Sequence, residues 1–214
     1  PLLLGIAVAV LNQWTGVNSF LQYAPYILKS AGIASDRVAM LGSVGIGVLN
    51  CVGTLLGLLL VDRVGRRRLL IVGIAGVVLS ELLLGVLSLV VISSQLNGLL
   101  SLIGLFGFIL SFAIGPGLIV WLVFAELLPT AIRGKGIAVC LFFSSCSGAL
   151  LASFFLDIQH ALGLGHSYFL FAFCSLCYLA LSYYCLPEAK GRSLEDIQQQ
   201  YDVSPTIEDV DYAI

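Results

Sequence analysis

Six predominantly apolar runs, at 2–28, 38–61, 69–92, 97–125, 136–158 and 166–186, follow one another with only short charged or turn-rich connections between them. The hydrocarbon core of a bilayer is about 30 Å thick, and roughly 20 apolar residues of helix cross it. Backbone in hydrocarbon finds no water, so each run must close its own hydrogen bonds as a helix. The pattern predicts an all-α integral membrane protein with a six-helix transmembrane bundle over 1–186. Composition agrees: 59% of residues are hydrophobic and 10% charged, against about 25% charged in a soluble domain. Mean hydropathy is +1.06. A water-soluble fold is excluded, and no basic patch suggests nucleic acid as a partner. The expected partner is the lipid bilayer.

The chain opens on Pro1-Leu2-Leu3-Leu4, without the charged segment or cleavage site of a signal peptide, and is expected to begin inside a span. From 187 the composition changes, and 187–214 carries seven of the twelve acids. This stretch is expected to be a cytoplasmic tail, with a short helix from Ser193 to about Tyr201 and disorder beyond. Lys29 and Arg37 flank the first connection, while the third and fifth carry no lysine or arginine. Arg63, Arg66, Arg67 and Arg68 lie in the second, Arg133 and Lys135 in the fourth, and Lys190 and Arg192 in the tail. Alternate sides hold eight and two, and the positive-inside rule places the richer side, with both chain ends, in the cytoplasm. A plasma membrane or bacterial inner membrane is expected.

Within the first run stands Asn12-Gln13-Trp14-Thr15-Gly16-Val17-Asn18, three amides in one of the most apolar parts of the chain. An amide without a partner in hydrocarbon costs several kcal/mol, so these side chains must face other protein or a wet cavity. Polar groups that face inward within a span mark a binding site. Amides hydrogen-bond hydroxyls and an indole stacks on a ring face, which together suit an uncharged sugar. An anionic cargo would call for an arginine inside a span, and every arginine lies near a membrane edge or in a connection.

Three charged clusters sit at the ends of spans. Asp62-Arg63-Val64-Gly65-Arg66-Arg67 closes the second, Ala125-Glu126-Leu127-Leu128-Pro129 leads into Arg133-Gly134-Lys135-Gly136, and Pro187-Glu188-Ala189-Lys190-Gly191-Arg192 follows the last. Taken singly, each reads as a cytoplasmic anchor. Taken with the amide run and in this order, they resemble the sugar porters of the major facilitator superfamily, which include hexose facilitators and bacterial xylose and galactose proton symporters. The resemblance covers nearly the whole chain, as the C-terminal half of that fold, spans seven to twelve.

The resemblance implies monosaccharide transport by alternating access, with a second, N-terminal six-helix half as partner and no cofactor. A proton is left open as a co-transported ion, because the family separates symport from uniport chiefly by an acidic residue of the first span. The sugar-contacting amides of the seventh span fall on Asn12, Gln13 and Asn18, and that of the eighth on Asn50. Phe112 and Trp121 line the same cavity in the tenth, around Gly115-Pro116-Gly117. Asp62, Arg66, Arg67, Glu126, Arg133 and Glu188 fall on a cytoplasmic charge network that latches the two halves. Asn12 stands where the family usually has the first of two glutamines. Ala113 replaces an acid common in hexose facilitators, Leu118 and Val120 replace prolines, and Ser144 and Ser145 replace an Asn-Trp pair. These departures bear on cargo identity, and the bend around 115–121 is expected to be shallower.

Other features are weighed against these. Glu81 sits mid-span as either a proton carrier or a structural carboxyl, and the resemblance favours the second by placing its span away from the cavity. Cys174-x-x-Cys177 copies a metal spacing but lies among Phe, Leu and Ala with no second ligand pair, so packing is expected and no metal. His160, His166 and Asp157 read as solvated groups at a membrane boundary. Gly53-x-x-x-Gly57 and Gly42-x-x-Gly45 read as seams for close helix packing. Alternatives are a sugar sensor that does not transport, which the short tail disfavours, and a carrier of a polyol or organic acid. An enzyme has least support, since no buried His/Asp/Ser or metal cluster is visible.

Overall fold

Two of the six apolar runs are broken along their length, and the breaks give the fold its shape. The computed structural model describes residues 2–30, 35–90, 94–128 and 133–186. The first run comprises α1 (Leu2–Trp14), α2 (Val17–Gln22) and α3 (Ala24–Ser30), and the fourth comprises α6 (Ser94–Ile114) and α7 (Pro116–Leu127). The others are single rods: α4 (Asp36–Val64), α5 (Arg66–Leu89), α8 (Arg133–Leu162) and α9 (Leu164–Cys185). Six stretches are long and apolar enough to cross a membrane, from Leu2–Gln22 to Gly165–Cys185. Among the described residues there is no strand. The expected tail helix and Glu188 lie outside the described residues.

Two of the three breaks, α1–α2 and α6–α7, have a clear local cause. Gly16 adopts φ 78°, a left-handed conformation that a side chain resists, and it ends α1. At the α6–α7 break Pro116 opens α7 with no N–H to continue the ladder of α6. Small residues then let the rods close up. A Cβ on Gly53 would meet the Ala113 methyl at 2.8 Å, and one on Gly57 would meet the Ile114 carbonyl oxygen at 2.9 Å. The expected Gly53/Gly57 seam is therefore the α4–α6 crossing.

α1 and α8 run side by side. Gly5 lies against the Cys140 thiol, and further along Tyr23 stacks on Phe155 with ring centroids 5.0 Å apart. Aromatic packing fills one end of the bundle, where Phe20 meets Phe108, Phe155, Tyr168 and Phe171. The other end is built on Leu70, Ile74, Val120, Phe124 and Tyr178. α5 packs chiefly on α9 and α6. Glu81, wholly buried, lies on α5 beside Ser175 and Cys174 of α9. Ser175 is the polar side chain next to its carboxyl, and neither group closes a hydrogen bond among the described residues. α4 and α8 are the least buried rods, and their exposed faces are apolar, as hydrocarbon or a further layer of helices requires.

Candidate binding cavity

The break at Gly16 turns the end of α1 and the start of α2 toward one space. Within it the Gly16 amide bonds the Gln13 carbonyl at 3.0 Å, and the Thr15 hydroxyl donates to the Asn12 carbonyl at 2.8 Å. Backbone groups freed by the interrupted helix are thereby satisfied, and the amide side chains are left for other work. A cavity of about 230 Å3 opens beside them, lined by Asn12, Gln13, Val17, Asn18, Leu21, Asn50, Phe112, Gly117 and Trp121. All six residues assigned to substrate by resemblance meet around this one space, from α1, α2, α4, α6 and α7.

Its polar equipment is made of amides and one indole, and none of the lining side chains is charged. The Asn18 Nδ2 donates to Gln13 Oε1 at 2.7 Å, and Gln13 Nε2 donates to Ser144 Oγ on α8 at 2.8 Å. Asn12 is buried, and its Oδ1 accepts no hydrogen bond among the described residues. A buried acceptor left open beside a cavity is a place for a ligand hydroxyl, since leaving it empty costs the desolvation of the group. Phe112 is stacked on Phe108 at 6.4 Å, and Trp121 stands edge-on to Phe124 at 5.8 Å. Trp121 lines the cavity and is 45% exposed, so its ring has room to pack on a ligand.

Two of the noted departures have structural consequences. Ala113 faces the α4 seam rather than the cavity, where its methyl sits against Gly53. Ser144 is buried and bonded to Gln13, while Ser145 is exposed. Of the lining residues, Val17 and Leu21 were not singled out, while Ser144, which bonds Gln13 from behind, was marked only as a departure bearing on cargo identity. The signal for Val17 and Leu21 is helical spacing from Gln13 and Asn18, whereas that for Ser144 is legible only once α8 is known to lie against α1.

The charged residues lie apart from the cavity. Gly65, at φ 97°, makes the tight turn between α4 and α5. It places exposed Asp62 before the turn and Arg66 and Arg67 after it. Arg67 donates to the Tyr183 carbonyl of α9 and lies over that tyrosine's ring, 5.6 Å from its centroid. Arg133 Nε donates to the Leu128 carbonyl at 3.3 Å, satisfying the end of α7. Glu126 falls in the last turn of α7, and its side chain lies outside the described residues. His160 and His166 are exposed on either side of the turn at Gly163. Among the described residues no three His, Cys, Asp or Glu side chains group to hold a metal.

Residues 1–201 match the family described as sugar (and other) transporter. The chain belongs to that transporter family. It is 30% identical over 207 residues to the human solute carrier family 2, facilitated glucose transporter member 4, covering 97% of this chain and 40% of that protein. It is 32% identical over 201 residues to the major myo-inositol transporter IolT of Bacillus subtilis, with 92% and 42% covered. Among solved structures, the proton:xylose symporter XylE bound to 6-bromo-6-deoxy-D-glucose superposes with a TM-score of 0.81 at 25% identity, covering 94% of this chain and 42% of XylE. The chain thus spans about two fifths of the length of these relatives. As a member of the sugar transporter family it is a multi-pass membrane protein with the six-helix half of a major facilitator fold.

Proposed function

We propose that the protein carries a monosaccharide, hexose or pentose, across a membrane by alternating access, working together with a second six-helix half. One observation carries the reading: four amides from three helices and an indole converge on a single uncharged cavity. Amides exchange hydrogen bonds with sugar hydroxyls at little net cost, so binding is reversible and selective without being tight. The ring faces of Trp121 and Phe112 pack on the apolar C–H surface of a pyranose. Helix breaks beside a mid-membrane site are a recurring device of carriers, since they free backbone and side-chain groups at that depth.

Asn12, Gln13, Asn18 and Asn50 bind hydroxyls in this scheme, and no covalent step occurs. Asp62, Arg66, Arg67, Glu126, Arg133 and Glu188 belong to a cytoplasmic latch between the halves. Exposed ion pairs are worth about 0–1 kcal/mol each, so several together bias two states without locking either. Both ends of the chain face the cytoplasm, in a plasma membrane or bacterial inner membrane. The test is uptake of labelled pentoses, hexoses, polyols and organic acids into proteoliposomes, by this chain alone and joined to its complementary half, with and without a proton gradient. Saturable sugar uptake by the joined protein is expected. Uptake of organic acids alone would overturn the sugar assignment, and dependence on the gradient would mark the proton as co-transported.

A further inference from the structure

The Gln13 amide is held at both ends. Its Nε2 donates to Ser144 Oγ at 2.8 Å and its Oε1 accepts from Asn18 Nδ2 at 2.7 Å. A primary amide offers two N–H donors and two acceptor lone pairs. One of each is spent, so one of each remains for a ligand, and two in-plane bonds at opposite ends fix the plane in which they point.

Behind this pair stands Gly148. A Cβ there would lie 3.1 Å from Gln13 Oε1 and 3.2 Å from Asn18 Nδ2, so both amides rest on bare backbone. One residue earlier, Ser147 Oγ accepts the indole N–H of Trp14 at 2.6 Å. Positions 144, 147 and 148 share one face of a helix, and here that face is buried while Ser145 and Cys146 between them are exposed. None of the three lines the 230 Å3 cavity. They touch the residues that do, or the indole next to them.

We infer that this face of α8 is a specificity-determining template, in which Ser144 and Gly148 are positioning residues. Ser144 sets the orientation of the Gln13 amide, and Gly148 sets how far the Gln13–Asn18 pair withdraws from the cavity. Ser147 anchors Trp14 in the same frame. A larger side chain at 148 advances both amides toward the ligand and narrows the site. Loss of the hydroxyl at 144 frees the Gln13 amide to rotate, so its remaining donor and acceptor are no longer aimed. The inference rests on the proposal that this cavity binds the cargo.

The experiment measures equilibrium binding by the complete transporter of a panel of pentoses, hexoses, polyols and organic acids, alongside its thermal midpoint. Ser144→Ala is expected to weaken binding of the preferred cargo about tenfold, the factor that one aimed hydrogen bond of roughly 1.4 kcal/mol provides, with the midpoint unchanged. Ser144→Thr, which keeps the hydroxyl oxygen, is expected to restore most of it. In an Asn18→Ala background, Ser144→Ala should cost less than it does alone, because the two act through the same amide. Gly148→Ala retains both bonds and is expected to reorder the panel in favour of smaller cargo. Wild-type affinity and ranking in both Ser144→Ala and Gly148→Ala would overturn the inference, as would equal losses in the alanine and threonine variants. A protein that binds organic acids and no sugar overturns the sugar assignment, and the same variants then decide this inference on the acid it binds. Wild-type protein that binds nothing in the panel overturns both.

Discussion

Gly73 on α5 and Gly115 at the α6–α7 break touch backbone to backbone. A Cβ on Gly73 would lie 2.6 Å from the Gly115 Cα, and one on Gly115 would lie 2.7 Å from the Gly73 Cα. The same imagined Cβ on Gly73 comes within 2.7 Å of Pro116 Cδ, so the crossing sits where the broken span changes direction. α7 carries Gly117 and Trp121 into the cavity, which makes this contact the support of one cavity wall. Gly73→Ala should therefore cost about 1–3 kcal/mol of stability through overpacking, read as a lower thermal midpoint of the purified transporter. It should weaken cargo binding as well, because the wall moves. An unchanged midpoint and affinity would show that the crossing is not a constraint.

Gln13 and Trp121 test the cavity directly. Gln13→Ala removes the amide that joins Asn18 to Ser144 and should reduce sugar affinity by about tenfold or more, by the usual worth of one to two hydrogen bonds. Trp121→Ala should do the same through lost ring contact, and Trp121→Phe should recover part of it. Sugar uptake by the complete protein in proteoliposomes, with expression measured in parallel, is the check. Uptake at the wild-type level in Gln13→Ala would remove this cavity as the site.

The six spans were legible because hydrocarbon thickness is a strict ruler, and α5 and α9 lie close to the runs read at 69–92 and 166–186. Ends drift where charge and helix part company: α8 starts at Arg133, although the apolar run begins at 136, since long cationic side chains reach the interface while their backbone stays helical. Hydropathy was blind to the break at Gly16, because a left-handed residue leaves an apolar run as apolar as before. Asn12, Gln13, Asn18, Asn50, Phe112 and Trp121 came from a motif resemblance, and the fold brings them to one space. Ser144 was marked only as a departure from the family's Asn-Trp pair, and Gly148 escaped notice in Phe142-Phe143-Ser144-Ser145-Cys146-Ser147-Gly148, where small residues look like ordinary helix packing. Their contacts depend on which residues of α1 and α2 lie opposite, and no local pattern encodes that.

Arg67 tests the tie between the α4–α5 turn and the end of α9. Its guanidinium serves two partners in one residue, the carbonyl and the ring of Tyr183. A lysine keeps the charge but loses the planar fork and much of the stacking. Arg67→Ala should lower stability by about 0.5–1 kcal/mol, the range for an exposed cation–π contact, and Arg67→Lys should recover only part. Tyr183→Leu removes the ring and leaves the carbonyl, so Arg67→Ala should cost less in that background. Thermal midpoints of the four proteins read the coupling directly, and strict additivity would show that the ring contributes nothing.

Glu81 separates a structural carboxyl from a carrier of protons. It is fully buried between α5 and α9, with Ser175 and Cys174 as polar neighbours, and the cavity is lined from other helices. A residue that moves protons during transport must exchange them with water, whereas one that fills an interhelical gap needs only its shape and its polar end. Glu81→Gln preserves both and should leave folding and uptake near the wild-type level, with and without a proton gradient. Glu81→Ala leaves a void and deprives Ser175 of its polar neighbour, which should cost about 1–3 kcal/mol or more and lower the thermal midpoint while sugar affinity holds. Loss of gradient-driven uptake in Glu81→Gln with retained downhill uptake would reverse the assignment and make this carboxyl part of the coupling route.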